Sequence, residues 1–265
     1  MARTALLNVM VQAVLRAGRG LARDFGEVEN LQVSVKGPGD FVSAADRKAE
    51  ETLIAELSRA RPGYSFLTEE SGAIDGTDKA NRWIVDPLDG TTNFLHGIPL
   101  FAISLALERD GQLVAGVIFN PILNELYVAE RGSSAFLNDR RLRVAARKSL
   151  ADSVIAIGLP GIGKSDHEAV VGVVRRLMTE VAGIRRSGSA ALDLAWVASG
   201  RYDGYFDRGL APWDVAAGVV ILREAGGLVS GAEGSDDMLR TGSIVAGNET
   251  IHAKLLATLK ASRAA

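Results

Sequence analysis

The chain has 265 residues, 47% of them hydrophobic and 23% charged, with a formal net charge of −2; this balance fits an ordinary globular protein and gives no general attraction to nucleic acid or anionic lipid. It contains no cysteine, which excludes disulfides, thiolate catalysis and Cys-ligated zinc or iron–sulfur clusters, and makes a cytoplasmic location the expectation. No apolar stretch approaches the roughly 20 residues needed to cross a bilayer, so no membrane partner is expected.

The opening ALLNVMVQAVLRAG is interrupted by Asn8 and Gln12, and its periodicity continues through Leu21 to Phe25. It reads as an amphipathic helix over about 3–25 rather than as a leader. A second helix is expected over 43–60, followed by short strands in YSFLTEE and RWIVD that end in acids. From Phe101 to about Val144 the chain reads as a meander, with FAISLALE and LVAGVIFN joined through Asp110-Gly111, a hairpin signal. Strand 153–158, helices 166–182 and 190–199, strand 204–207, helix 212–225 and a last strand and helix follow. The expected fold class is α/β (α+β layered): an N-terminal α+β lobe, 1–150, and a C-terminal α/β lobe, 151–265, in one compact unit.

Two stretches compete as phosphate binders. GLPGIGKS fits the P-loop spacing from Gly158 through Gly163 and Lys164 to Ser165. A P-loop enzyme also needs a metal-binding Asp at a strand end after the loop. Downstream, Asp203 and Asp207 in RYDGYFD are poor candidates, and WIVD ending at Asp86 comes before the loop. The P-loop match therefore reads as a surface strand-to-helix connection.

The second stretch is WIVDPLDGTTNF, residues 83–94. Asp86-Pro87-Leu88-Asp89 reads as a four-residue turn with Pro in its second position, which brings the two Asp Cα atoms within about 7 Å. Two carboxylates about 4 Å apart repel by roughly 4 kcal/mol at an effective dielectric of about 20. Such a pair calls for a cation. Gly90 allows close backbone approach, and TTNFLHG is expected to start a short helix whose free N–H groups attract phosphate. Hard oxygen ligands beside an anion cradle are what metal-assisted phosphate hydrolysis requires.

Further acids stand at element ends: Glu69-Glu70 in FLTEES, Asp214 in the first turn of the helix beginning near Pro212, and Asp46 early in its helix. Singly, each is explained by solvation or by the helix dipole. Converging on one cleft, they would make a site.

These residues carry a resemblance. DFVSAADRKAE, LTEESG, WIVDPLDGTTNFLHGIPLFAISLAL, GSAALDLAWVASGRYDGYFD and PWDVAAGVVILREAGG, in this order, resemble the inositol monophosphatase family, and the bacterial inositol-1-monophosphatases in particular. The similarity covers nearly the whole chain. It implies alternating α-β-α-β-α layers of the metal-dependent sugar phosphatase type.

The resemblance also implies roles. Two or three Mg²⁺ ions are expected, held by Glu69, Asp86, Asp89 and Asp214 and by the Leu88 carbonyl. Thr91, hydrogen-bonded to Asp46, would orient and activate the attacking water together with Glu69, and the N–H groups of Gly90 and Thr91 would hold phosphate. Asp89, Gly188, Ser189, Ala190, Asp207 and Asp214 are expected on the substrate side. At Asp207 inositol-cleaving relatives usually have Glu, a departure that bears on specificity. Lys36-Gly37-Pro38-Gly39 resembles a metal-associated loop. The implied reaction is in-line attack of a metal-activated water on a phosphate monoester, without a phospho-enzyme. No histidine base is needed, and His96, His167 and His252 show no ligand spacing.

The substrate expected is a small phosphorylated polyol or sugar, inositol 1-phosphate first; histidinol phosphate, fructose bisphosphate or a 3'-phosphoadenosine nucleotide are the alternatives. A homodimer sensitive to Li⁺ is implied as well. A non-catalytic role in an RNA or transcription complex would rest on Arg185, Arg186, Arg201 and Arg208, which otherwise read as solvated side chains.

Overall fold

The computed structural model describes residues 3–27, 33–37, 40–160 and 167–263. The chain begins with α1 (Ala5–Phe25), β1 (Val33–Gly37), β2 (Asp40–Ser43), α2 (Ala44–Ala60), β3 (Tyr64–Thr68), β4 (Gly72–Ile74), β5 (Asp78–Asp89) and α3 (Thr91–Leu95). Next come β6 (Ala102–Arg109), β7 (Gln112–Asn120), β8 (Glu125–Glu130), β9 (Ala135–Leu137), β10 (Arg140–Arg141), β11 (Val154–Ile157), α4 (His167–Leu177) and β12 (Gly183–Arg185). The last third holds α5 (Ala190–Ala198), β13 (Gly204–Arg208), α6 (Pro212–Glu224), β14 (Leu228–Ser230), α7 (Met238–Thr241), β15 (Ser243–Gly247) and α8 (Glu249–Arg263).

Local signals account for the first elements. Thr4 caps α1 by accepting from Leu7 N–H, and Leu7, Met10, Val14, Ala17 and Leu21 form its buried stripe. Ser43 and Asp46 form a reciprocal capping box on α2. The β6–β7 hairpin closes on Asp110 and Gly111, both at positive φ (49° and 74°), with Arg109 facing Gln112. That is the two-residue turn the Asp-Gly pair predicts.

Among the described residues the strands form an eight-stranded sheet, β10-β9-β8-β7-β6-β5-β3-β4, a five-stranded sheet, β12-β11-β13-β15-β14, and the β1–β2 pair. The larger sheet is antiparallel except where β3 runs parallel to β5. The smaller is parallel at β12-β11-β13 and antiparallel at β15.

Layering follows from the period-2 alternation of side chains. On β5 and β6, Trp83, Val85, Leu105 and Leu107 join Leu7, Met10, Leu53 and Leu57 of α1 and α2 in one core. The intervening Ile84 and Ala106 face the opposite side, where they join Leu192 and Trp196 of α5, Val219 and Ile221 of α6, and Tyr205 and Ala246 of the smaller sheet. The outer face of the smaller sheet, through Ile155, Phe206 and Val245, is covered by Val170, Val173, Ile251 and Leu255 of α4 and α8. The order is helix, sheet, helix, sheet, helix, the α/β layering expected from sequence.

Several elements depart from expectation. RWIVD is the middle of a strand that runs on through the DPLD motif. The hairpin strands β1 and β2, the short strands β4, β12 and β14, and the one-turn α7 carry too few residues for a periodic signal. The helix placed at 166–182 is α4, which ends at Leu177; its expected first residue, 166, lies outside the described residues. Lys36 and Gly37 end β1, and Pro38 and Gly39 lie outside the described residues.

Candidate active site

The DPLD motif forms a bulge in place of the four-residue turn. Asp86 pairs with Ser104 and Asp89 with Ala102, three steps along β5 against two along β6. Pro87, which has no N–H to give to a ladder, sits inside this irregular stretch, and Leu88 N–H donates to Asp86 Oδ1 at 2.9 Å. On an unbroken strand, residues three apart face opposite sides. Here their partners Ser104 and Ala102 are two apart, so both carboxylates share the side of the sheet that faces α6.

The strand ends at Gly90, whose φ of 96° is open to glycine and where a Cβ would stand a tight 3.0 Å from the Leu100 carbonyl oxygen. Helix α3 then starts with no side-chain cap. Thr91 Oγ1 lies 3.0 Å from Asp46 Oδ1 and 3.1 Å from the Leu88 carbonyl. Asp46 is fully buried, and its Oδ2 accepts from Ser43 N–H at 2.8 Å and Ser43 Oγ at 2.5 Å. Glu69 enters from β3: its N–H donates to the Val85 carbonyl at 3.2 Å, one residue before Asp86.

Asp214 arrives on α6, which begins at Pro212, the favoured first helical position for proline. Its Oδ2 accepts from Ala211 N–H at 2.7 Å, so the capping role is present. Packing brings that cap to the bulge. Ser104 Oγ donates to the Trp213 carbonyl at 2.9 Å, and α6 lies so close to β7 that a Cβ on Gly116 would stand 2.5 Å from the Ala217 carbonyl oxygen.

On the remaining side Asp89 Oδ2 accepts from Ser189 Oγ at 2.6 Å and Ala191 N–H at 2.7 Å, linking the bulge to the start of α5. Gly188 precedes this cap at φ +84°, with Asn93 against the place of its missing side chain. Asp207 accepts from Tyr205 OH at 2.7 Å and Arg208 N–H at 2.6 Å. A cavity of about 170 Å³ is lined by Asp89, Gly188, Ser189, Ala190, Asp207 and Asp214. A larger one of about 410 Å³, between Leu113, Val220 and Arg223, gathers none of these acids.

One acid at this cavity was not singled out from sequence. Asp193 is 3% exposed, lines the cavity, and its Oδ1 has no hydrogen-bond partner. The signal was available: it is the single charged residue of the apolar helix AALDLAWVA, a position that needs a reason.

Burial and the neighbouring acids shift the carboxyls of this cluster upward. Burial, then Glu69, Asp89 and Asp214, push the Asp86 carboxyl well above its usual range. Burial, followed chiefly by Asp89, does the same for Asp214. Asp89 and Asp207, both raised mainly by burial, reach about 6. Burial also raises Asp46 and, with Asp89 and Asp207 adding to it, Asp193.

Among the described residues no three acidic or histidine side chains are already closed around one point; Asp86, Asp89 and Asp214 each spend an oxygen on a protein donor. The donor set is nonetheless all hard oxygen, and the cation that lowers Asp193 and Asp207 is the exposed Arg186. These features fit a divalent hard cation.

Among the described residues the competing motifs assemble no second site. Gly158, first residue of the P-loop spacing, donates its N–H to the Phe206 carbonyl at 2.9 Å, and a Cβ on it would fall 1.7 Å from Asp207 Cγ; Gly163, Lys164 and Ser165 lie outside the described residues. His252 Nε2 is 2.9 Å from Ser230 Oγ, away from the acids. Arg201 is paired with Glu125 at 2.5 Å and Arg208 lies over the Phe206 ring, while Arg185 and Arg186 are exposed.

Comparison with known proteins agrees with the geometry. The model of the inositol monophosphatase family matches residues 2–264. An inositol-1-monophosphatase of Mesorhizobium japonicum is 64% identical over 260 residues, 98% of each chain. The Nus factor SuhB of Escherichia coli K12 is 42% identical over 255 residues, 96% of each chain. The crystal structure of the extragenic suppressor protein suhB of Bartonella henselae superposes with a TM-score of 0.95 at 59% identity, covering 97% of this chain and 99% of that one. The chain thus belongs to the inositol monophosphatase family of metal-dependent phosphoric monoester hydrolases.

Proposed function

We propose that the chain is a Mg²⁺-dependent inositol-1-monophosphatase that hydrolyses its phosphate monoester by in-line attack of water. The observation that carries this reading is the convergence of Glu69 just past the end of β3, Asp86 and Asp89 on β5 and Asp214 on α6: after burial, Glu69, Asp89 and Asp214 raise the Asp86 carboxyl, and Asp89 and Glu69 raise that of Asp214. The second oxygens of these carboxylates, with the Leu88 carbonyl, are the atoms that would meet the ions, two or three in number. Bound there, Mg²⁺ supplies a Lewis acid and lowers the pKa of water.

The chain's own residues do the rest. Thr91, its hydroxyl proton directed at Asp46, keeps lone pairs with which to accept from the attacking water, and Glu69 accepts beside it. The N–H groups of Gly90 and Thr91 cradle the phosphate. Gly188, Ser189 and Ala190 shape the wall of the cavity, and Asp207, fixed by Tyr205 and the Arg208 backbone, accepts from substrate hydroxyls. The two sheets support a division into lobes 1–150 and 151–265 that share the site. Family membership supports a cytoplasmic, lithium-sensitive homodimer, which sedimentation and Li⁺ titration would check.

The test is phosphate release from inositol 1-phosphate, fructose bisphosphate, histidinol phosphate and a 3'-phosphoadenosine nucleotide, with Mg²⁺ added or chelated. Inositol 1-phosphate is expected to be turned over fastest, and only with Mg²⁺. Asp89→Asn is expected to lower turnover by roughly a hundredfold or more while the protein stays folded. Turnover retained in that variant, or undiminished by chelation, would overturn the reading.

A further inference from the structure

Helix α2 carries two buried acids one turn apart, and Asp46 alone has a part in the chemistry above. The other is Glu50, 2% exposed. Its Oε2 accepts from Glu70 N–H at 3.0 Å and its Oε1 from Ser71 Oγ at 2.5 Å. Both donors directly follow Glu69. On its other side Glu69 is tied by its own N–H to Val85 at 3.2 Å, and Ser71 N–H closes the corner on Thr68 Oγ1 at 3.3 Å. Glu69 is thus held between β5 and α2.

The choice of a carboxylate for this clamp is informative. A neutral amide or hydroxyl can also accept in a turn. A buried carboxylate costs desolvation unless something positive offsets it, and no Lys or Arg is paired with Glu50 among the described residues. A carboxylate built into the corner that carries Glu69 is best accommodated when a cation sits beside that corner. Glu50 does not line the cavity of Asp89 and Asp207, so it acts through the corner it holds.

We propose that Glu50 is a positioning residue for divalent-cation binding, fixing the Glu69–Ser71 corner so that the Glu69 carboxylate is held beside Asp86 against their mutual repulsion. This rests on the metal-dependent reading given above. Residues that orient an ion's ligands are worth about 10–100-fold in metal affinity, and Glu50 does so through the two residues that follow Glu69.

The experiment is calorimetric titration of the substrate-free protein with Mg²⁺, for the wild type, Glu50→Gln and Ser71→Ala, alongside thermal unfolding in EDTA. Glu50→Gln keeps the shape and removes the charge and one acceptor. It is expected to raise the Kd for Mg²⁺ by about tenfold or more, and Ser71→Ala by a smaller factor of about three. In EDTA the unfolding temperature of Glu50→Gln is expected to equal or exceed that of the wild type, because a buried charge has been removed. An unchanged Kd overturns the proposal, and so does a weakened Kd accompanied by a lower unfolding temperature in EDTA, which would mark a purely structural clamp. If Glu50→Gln does not fold, an unchanged Kd in Ser71→Ala overturns it alone. A wild type that binds no Mg²⁺ removes the catalytic reading itself; a wild type and Glu50→Gln that bind it equally remove only the role of Glu50.

Discussion

Ser104 Oγ donates to the Trp213 carbonyl at 2.9 Å across 109 residues of sequence. Ser104 is also the strand partner of Asp86, and Trp213 immediately precedes Asp214. One buried hydroxyl therefore joins the bulge to the helix that delivers the most distant acid. Ser104→Ala is expected to cost about 1–2 kcal/mol of stability, the usual loss when a buried acceptor is left unpaired. It should also weaken Mg²⁺ binding. Urea unfolding and a Mg²⁺ titration check both, and an unchanged metal affinity would show that Asp214 is placed by α6 packing alone.

Acidity gives a second expectation. Burial lifts Asp89 and Asp207 to about 6 from the ordinary 3.8, so the folded metal-free protein holds these protons more tightly than the unfolded chain. Their contribution to stability is full below about pH 4 and is lost as pH rises through about 6, with a ceiling on the order of 1–3 kcal/mol per group. In EDTA the protein should unfold at a lower temperature near pH 7.5 than near pH 5. Because the ion binds deprotonated carboxylates, added Mg²⁺ should stabilise more at the higher pH. A midpoint in EDTA that climbs between those two values would contradict the acid cluster.

Asp207 addresses specificity. Asp207→Asn preserves shape and loses the charged acceptor proposed above for substrate hydroxyls. KM for inositol 1-phosphate should rise about 10–100-fold, while turnover of a simple aryl phosphate, which offers no such hydroxyls, stays near the wild-type value. Equal losses on both substrates would move Asp207 from recognition to structure.

Gly158→Ala tests the packing beneath that residue. The added methyl would meet the Asp207 carboxyl group 1.7 Å away, so the side chain must shift. A cost of about 1–3 kcal/mol is expected, together with a rise in KM resembling that of Asp207→Asn. A variant with intact stability and KM would reopen the question of what the glycine-rich stretch does.

Much of this was legible because the signals are local. The apolar stripe of α1, the Ser43 cap and the Asp110-Gly111 turn each decide their own element. The acids could be named because they stand at element ends in motifs that occur together. What could not be read depends on a partner distant in sequence. Pro87 in DPLD suggests a turn, and only the pairing of β5 with β6 converts it to a bulge; Asp193 stands out as the one charge in AALDLAWVA, but its place at the cavity shows only once its helix is packed. Ser104 and Glu50 lie within the matching stretches, but nothing in those stretches marks their roles, which depend on the distant groups they reach.

The bulge also alters how the site can be lost. By carrying one residue more than its partner strand, it leaves the Leu88 carbonyl 3.1 Å from Thr91 Oγ1 and, on the reading proposed above, open to an ion. A side-chain exchange at position 88 leaves that oxygen where it is, so an alanine scan would pass over it. Removing one residue from the motif would straighten the strand, keep both aspartates on their face and withdraw the carbonyl into the ladder. This donor is encoded by a residue count, and its natural probe is a single-codon deletion.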